Sequence, residues 1–84
     1  MKRASIAEMS AFVAIAERGS FAKAAAQLGV SRSSLSESLR AMEERLGVRL
    51  INRTTRSVAL TEAGERLLAQ LRPLLDNFDA ALNR

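Results

Sequence analysis

The sequence predicts a mainly α-helical fold of three shorter helices, a β-hairpin and one long helix, and three observations predict it. Serine and glycine punctuate the first 47 residues at helix-length intervals. After Gly47 the apolar spacing changes from three-and-four to two. From Thr61 it changes back, to a leucine stripe that runs to the end of the chain.

Ser5 followed by Glu8 forms a capping box, and Met9, Phe12, Val13 and Ala16 recur on one face, so a first helix is predicted over Ile6 to Arg18. Gly19 ends it. Ser20 caps the next helix at once, over Phe21 to Leu28, which requires the two to turn sharply against each other. Ala24, Ala25 and Ala26 make this second helix thin and able to approach its neighbours, with Phe21 and Leu28 as anchors.

Gly29 ends the second helix in a left-handed conformation, Val30 bridges, and Ser31 caps a third. That helix, residues 32–46, places Leu35, Leu39, Met42 and Leu46 on one stripe and ends at Gly47. At about 100° per residue, Ser33, Ser36, Glu37 and Arg40 fall on the opposite side, where burial does not explain their identities. A short helix, a tight glycine-containing turn and a longer helix fit a helix-turn-helix, whose second helix enters the DNA major groove. An ordinary helical hairpin fits this stretch equally well, so the flanks must decide.

Past Gly47, Val48 and Leu50, then Val58 and Leu60, suggest two alternating strands joined by polar Asn52, Arg53, Thr54, Thr55 and Arg56. Arginines on either side of two threonines suit a hairpin tip, here residues 52–57, that reaches a phosphate backbone or a minor groove. A solvated turn is the alternative. Next to a helix-turn-helix, the hairpin completes a winged helix-turn-helix over residues 1–60.

Thr61 caps the long helix of residues 61–84, with Glu62 and Glu65 in its first turn, where the helix dipole favours negative charge. Leu67, Leu71, Leu74, Phe78 and Ala81 follow coiled-coil spacing, and Leu68, Leu75 and Leu82 form a second line. The preceding domain is too small to cover this width. A second copy is expected to cover it, through Leu67, Leu71, Leu74, Leu75, Phe78 and Leu82, giving a homodimer that fixes two recognition helices relative to each other. On this reading Leu71→Asp splits the dimer and leaves each winged domain folded. Pro73 removes one backbone donor, so the helix is expected to be continuous but kinked near Ala69.

Composition narrows the function classes. The 84 residues suffice for one small domain with a core of Leu and Ala, since there are three Phe and no Trp or Tyr. Without Cys or His, disulfides, thiolate or imidazole metal sites and Cys or His catalysis are excluded, and no cofactor is expected. The net charge is +4 and the pI about 11.1, which favours a polyanionic partner. The excess is localised: Arg18, Lys23, Arg32, Arg40, Arg45, Arg49, Arg53 and Arg56 face only Glu37, Glu43 and Glu44 over the same span. Glu8 and Ser10 interrupt the apolar run behind Lys2 and Arg3, which argues against an export signal, and no apolar run is long enough to span a membrane. A cytoplasmic protein is expected.

Together these residues resemble the amino-terminal DNA-binding part of LysR-type transcriptional regulators. FVAIAERGSFAKAAAQLGVS resembles the first helix and helix-turn-helix entry, LRAMEERLGVRL the end of the recognition helix, and NRTTRSVALTEAG the wing and the start of the linker helix. The resemblance implies a dimer, formed through the helix from Thr61, that binds partly palindromic double-stranded promoter DNA. Family members usually continue into a domain that senses a small-molecule effector and directs tetramer assembly, so the resemblance implies either a DNA-binding fragment, the preferred reading, or an unusually short regulator.

Carried over by position, the groove contacts implied are Ser31, Arg32, Ser33, Ser36, Glu37 and Arg40, and the wing contacts Arg53, Thr55 and Arg56. Many relatives have Gln at the position of Arg32 and a basic or amide residue at that of Glu37. Arg32 suits a paired contact to guanine or a phosphate. Glu37 suits cytosine N4 or an ion pair with Arg40, and the ion pair is the preferred reading. Ser20 and Lys23, at a helix start with free amides, are expected phosphate anchors, Ser20 also serving as a cap.

Two other classes compete. A winged-helix protein-interaction module predicts apolar or aromatic residues on the outward face, where Ser, Arg and Glu stand instead. An enzyme lacks a base: the adjacent Glu43 and Glu44 diverge by about 100° on a helix, unsuited to shared acid–base work.

Overall fold

The structure, a computed structural model, describes residues 5–53 and 58–82. Its elements are α1 (Ile6–Arg18), α2 (Phe21–Leu28), α3 (Arg32–Leu46), β1 (Ile51–Arg53), β2 (Val58–Leu60) and α4 (Glu62–Leu82). Each helix starts where a hydroxyl accepts a bond from the amide three residues on: Ser5 from Glu8 at 3.1 Å, Ser20 from Lys23 at 3.2 Å, Ser31 from Ser34 at 3.0 Å, and Thr61 from Gly64 at 3.0 Å. The capping box is closed by the Ser5 amide, which donates to the Glu8 carboxylate. Between α2 and α3 the chain reverses at Gly29, whose φ of 71° is costly for any residue with a β-carbon.

α1 is the centre of the molecule. The expected single face is too narrow: Ala11, Phe12, Val13, Ala14 and Ile15 are all buried, and Met9 and Ala16 are only half-buried. Four elements, α2, α3, α4 and β2, pack around this helix, so apolar residues are needed on every side. Ala24 and Ala25 bring α2 close, and Leu35, Leu39 and Met42 seat α3. Two expected core residues lie at helix ends instead. Leu28 and Leu46, the last residues of α2 and α3, are 37% and 43% exposed.

The hairpin is antiparallel, with Ile51 opposite Leu60, Asn52 opposite Ala59 and Arg53 opposite Val58. It begins later than the alternation of Val48 and Leu50 suggests, and Asn52 and Arg53 belong to β1 rather than to the turn. Glu43 causes the shift. Its carbonyl accepts from the amides of Gly47 and Val48, and its carboxylate from those of Leu50 and Ile51, so residues 47–50 wrap the end of α3 before pairing begins. Val48 is consequently exposed, while Leu50 and Ile51 are buried. Thr55 and Arg56 lie outside the described residues.

α4 runs without interruption through Pro73. Its leucine stripe turns inward around Leu71, which corrects the expectation that Leu71 is a pairing residue. Leu71 is 5% exposed and belongs to the core, with Leu67, Leu68 and Leu75 half-buried against it, because this side of α4 packs on α1. Leu74 is 62% exposed. The side chains of Phe78 and Leu82 lie outside the described part of the structure. An ion pair from Arg72 Nε to Glu17, at 3.0 Å, joins α4 to the last turn of α1. At the other end, Gly64 packs against the backbone of Leu50.

Candidate nucleic-acid interface

The buried row Leu35, Leu39 and Met42 fixes which side of α3 meets solvent. Arg32, Ser33, Glu37 and Arg40 are exposed on that side, and Ser36 is half-buried beside them. These residues are held by the fold without being consumed by it. At the helix start, the Ser31 hydroxyl accepts from the Ser34 amide and donates to the Ser34 hydroxyl at 3.0 Å, so Ser31 is engaged as a cap. Ser20 is likewise a half-buried cap, and Lys23 beside it is exposed.

The expected ion pair between Glu37 and Arg40 is not formed among the described residues. The paired arginines there are Arg45 with Glu8, Arg49 with Glu43, Arg66 with Glu62 and Arg72 with Glu17. Arg40 is therefore directed by the helix alone. It lines an open cleft between α3 and the segment before β1, together with Glu43, Glu44, Gly47, Val48 and Arg49. Arg49 is 64% exposed, with its Nε 4.0 Å from the Glu43 carboxylate. Arg53 sits at the end of β1, opposite Val58.

Two carboxylates and one arginine have roles that the outward-face reading missed. Glu43 is 7% exposed and anchors the hairpin. A signal for it exists: Leu35, Leu39 and Glu43 stand four apart, so Glu43 continues the buried row. Glu8 likewise stands four before Phe12 and seven before Ile15, and is 9% exposed. Its partner, Arg45, donates to it from the last turn of α3, clamping the two helices together. Arg45 is thus a structural cation rather than part of a free basic face.

Among the described residues no group of three His, Cys, Asp or Glu side chains could hold a metal ion, and no helix is long and apolar enough to cross a membrane.

A family model described as "Bacterial regulatory helix-turn-helix protein, lysR family" matches residues 6–65. The HTH-type transcriptional regulator PgrR of Escherichia coli (strain K12) is 55% identical over 82 residues, 98% of this chain and 27% of that protein. Among solved structures, oxidized Corynebacterium glutamicum OxyR superposes with a TM-score of 0.91 at 44% identity, over 96% of this chain and 25% of that one. The DNA-binding domain of BenM in complex with catB site 1 DNA superposes at 0.88 with 33% identity, over 94% of this chain and 88% of that one. The chain spans about a quarter of the length of the full-length regulators it matches.

Proposed function

The chain belongs to the lysR family of bacterial regulatory helix-turn-helix proteins, and from that premise we propose that it binds double-stranded DNA sequence-specifically, with α3 in the major groove. The observation that carries this is the exposed Arg32, Ser33, Glu37 and Arg40 face of a helix locked on its other side, in a fold that matches a DNA-bound domain over nearly its whole length. In this reading Arg32, Ser33, Ser36, Glu37 and Arg40 meet base edges or adjacent phosphates, and the free first-turn amides beside Ser31 favour an anionic oxygen. Ser20 and Lys23 hold the backbone at the start of α2. Arg53, Thr55 and Arg56 of the wing contact phosphate or the minor groove.

Residues 1–60 act as the reading head and 61–84 as a linker that pairs two copies. The outward side of α4, marked by exposed Leu74, supports that pairing, which would occur where promoters are found, in the cytoplasm. Effector sensing and tetramer assembly are proposed only for a longer protein that joins this DNA-binding unit to a further domain.

Selection of bound duplexes from a random pool, followed by titration at two salt concentrations, tests the reading. Two related half-sites are expected, with centres about 34–36 Å apart or a multiple of it. Affinity is expected to fall steeply with salt as phosphate counterions are released. A pool without enrichment and binding indifferent to salt would overturn it.

A further inference from the structure

Resting on the DNA-binding reading above, we propose that Glu43 is a positioning residue for DNA recognition, a buried joint that sets the wing against the recognition helix. It sits three residues after Arg40, about 60° round α3 from it and turned toward the core, at 7% exposure. One carboxylate oxygen accepts from the Leu50 amide at 2.8 Å and the Ile51 amide at 3.2 Å, at the point where the chain enters β1. The carbonyl of the same residue accepts from Gly47 at 2.8 Å and Val48 at 3.3 Å. A single residue of the recognition helix thereby holds four amides of the five-residue path that leads into the wing. A buried carboxylate serving two consecutive amides has a narrow range of positions, because moving that segment away from α3 would leave a desolvated charge without its donors.

The other edge of the same segment is held by α4. Thr61 donates through its amide to the Leu50 carbonyl at 3.0 Å and through its hydroxyl to the Arg49 carbonyl at 2.6 Å. Thr61 holds the carbonyl side of this segment, and Glu43 ties its amide side to α3. The joint thus ties the helix that carries Arg40 to the segment that leads into the strand ending at Arg53, and on this proposal one docking geometry serves both. The wing contact depends on this joint as much as on the arginine that makes it.

The test uses this chain with the duplex recovered by selection. Glu43→Ala, Glu43→Gln and Arg53→Ala are measured singly, with Glu43→Ala/Arg53→Ala as the double variant, by affinity across a salt series and by backbone footprinting. Folding of each is checked by circular dichroism. Glu43→Ala is expected to lose at least tenfold in specific affinity, to lose protection at the wing position while keeping it in the major groove, and to make Arg53→Ala almost without further effect. Glu43→Gln, whose carbonyl oxygen can still accept from both amides, is expected to restore the wing footprint. Should the alanine variant fail to fold, Glu43→Asp, which keeps the charge but retracts it from the amides, takes its place with the same expectations. A folded Glu43 variant with the wild-type footprint, and an effect additive with that of Arg53→Ala, would overturn the proposal while leaving DNA binding intact. A wild-type chain without salt-dependent binding would instead remove the functional reading, and this proposal with it.

Discussion

Gly64 of α4 lies so close to the Leu50 carbonyl that a β-carbon on it would overlap the oxygen and stand 3.0 Å from the carbonyl carbon. The neighbour is backbone, already held by Thr61, and cannot swing aside. Gly64→Ala is therefore expected to destabilise the chain, although alanine gains about 1 kcal/mol in intrinsic helix propensity. Overpacking of this kind costs about 1–3 kcal/mol or more, and each net 1 kcal/mol lowers the melting midpoint by about 4–8 °C in a domain of this size. A midpoint at or above the wild-type value would contradict the described approach of α4 to the wing base.

The Glu8–Arg45 pair is expected to show strong coupling in a double-mutant cycle. Glu8 is nearly buried, so Arg45→Met strands a carboxylate that retains only its bonds to the capping-box amide, at a cost of about 1–3 kcal/mol. Adding Glu8→Gln should recover part of that loss, because the stranded charge is gone. Denaturant unfolding reads the cycle, and additive single effects would mean that the clamp between α1 and α3 contributes nothing.

Arg40→Ala and Arg53→Ala are expected to differ in kind. Loss of Arg40 should weaken binding to the selected site by about 1–3 kcal/mol and relax its preferred bases. Loss of Arg53, or of Arg56, should lower affinity on all duplexes alike, with a salt slope shallower by about one. Competition against scrambled duplex separates the two patterns. Unchanged site selection by the Arg40 variant would show that the wrong face of α3 has been assigned to the groove.

Leu71 and Leu74 are expected to separate folding from pairing. Leu71→Asp places a charge in the core and should unfold the domain, whereas Leu74→Asp should leave helicity intact and shift sedimentation toward monomer, with weaker operator binding. Were Leu74→Asp to sediment as the wild type does, α4 would not pair two copies through this side.

The helix limits were legible because their causes are local. Ser5, Ser20, Ser31 and Thr61 act on amides three residues away, and Gly19, Gly29 and Gly47 close the first three helices. The outward face of α3 was legible for the same reason, its complement being an uninterrupted apolar row. What escaped depends on contacts distant in sequence. Whether the α4 stripe meets a twin or its own α1 is set by packing across more than fifty residues, so Leu71 read as a pairing residue. The start of β1 is set by the Glu43 carboxylate eight residues back, which counted in the sequence toward the charge balance.

Because Arg32, Ser33, Glu37 and Arg40 support none of the packing that holds α3, substitutions at these positions should change stability little, within about ±0.5 kcal/mol for ordinary surface sites. Address and scaffold are thus encoded by different letters of the same helix. A descendant gene could acquire a new promoter preference one codon at a time, with every intermediate still producing a folded protein on which selection can act.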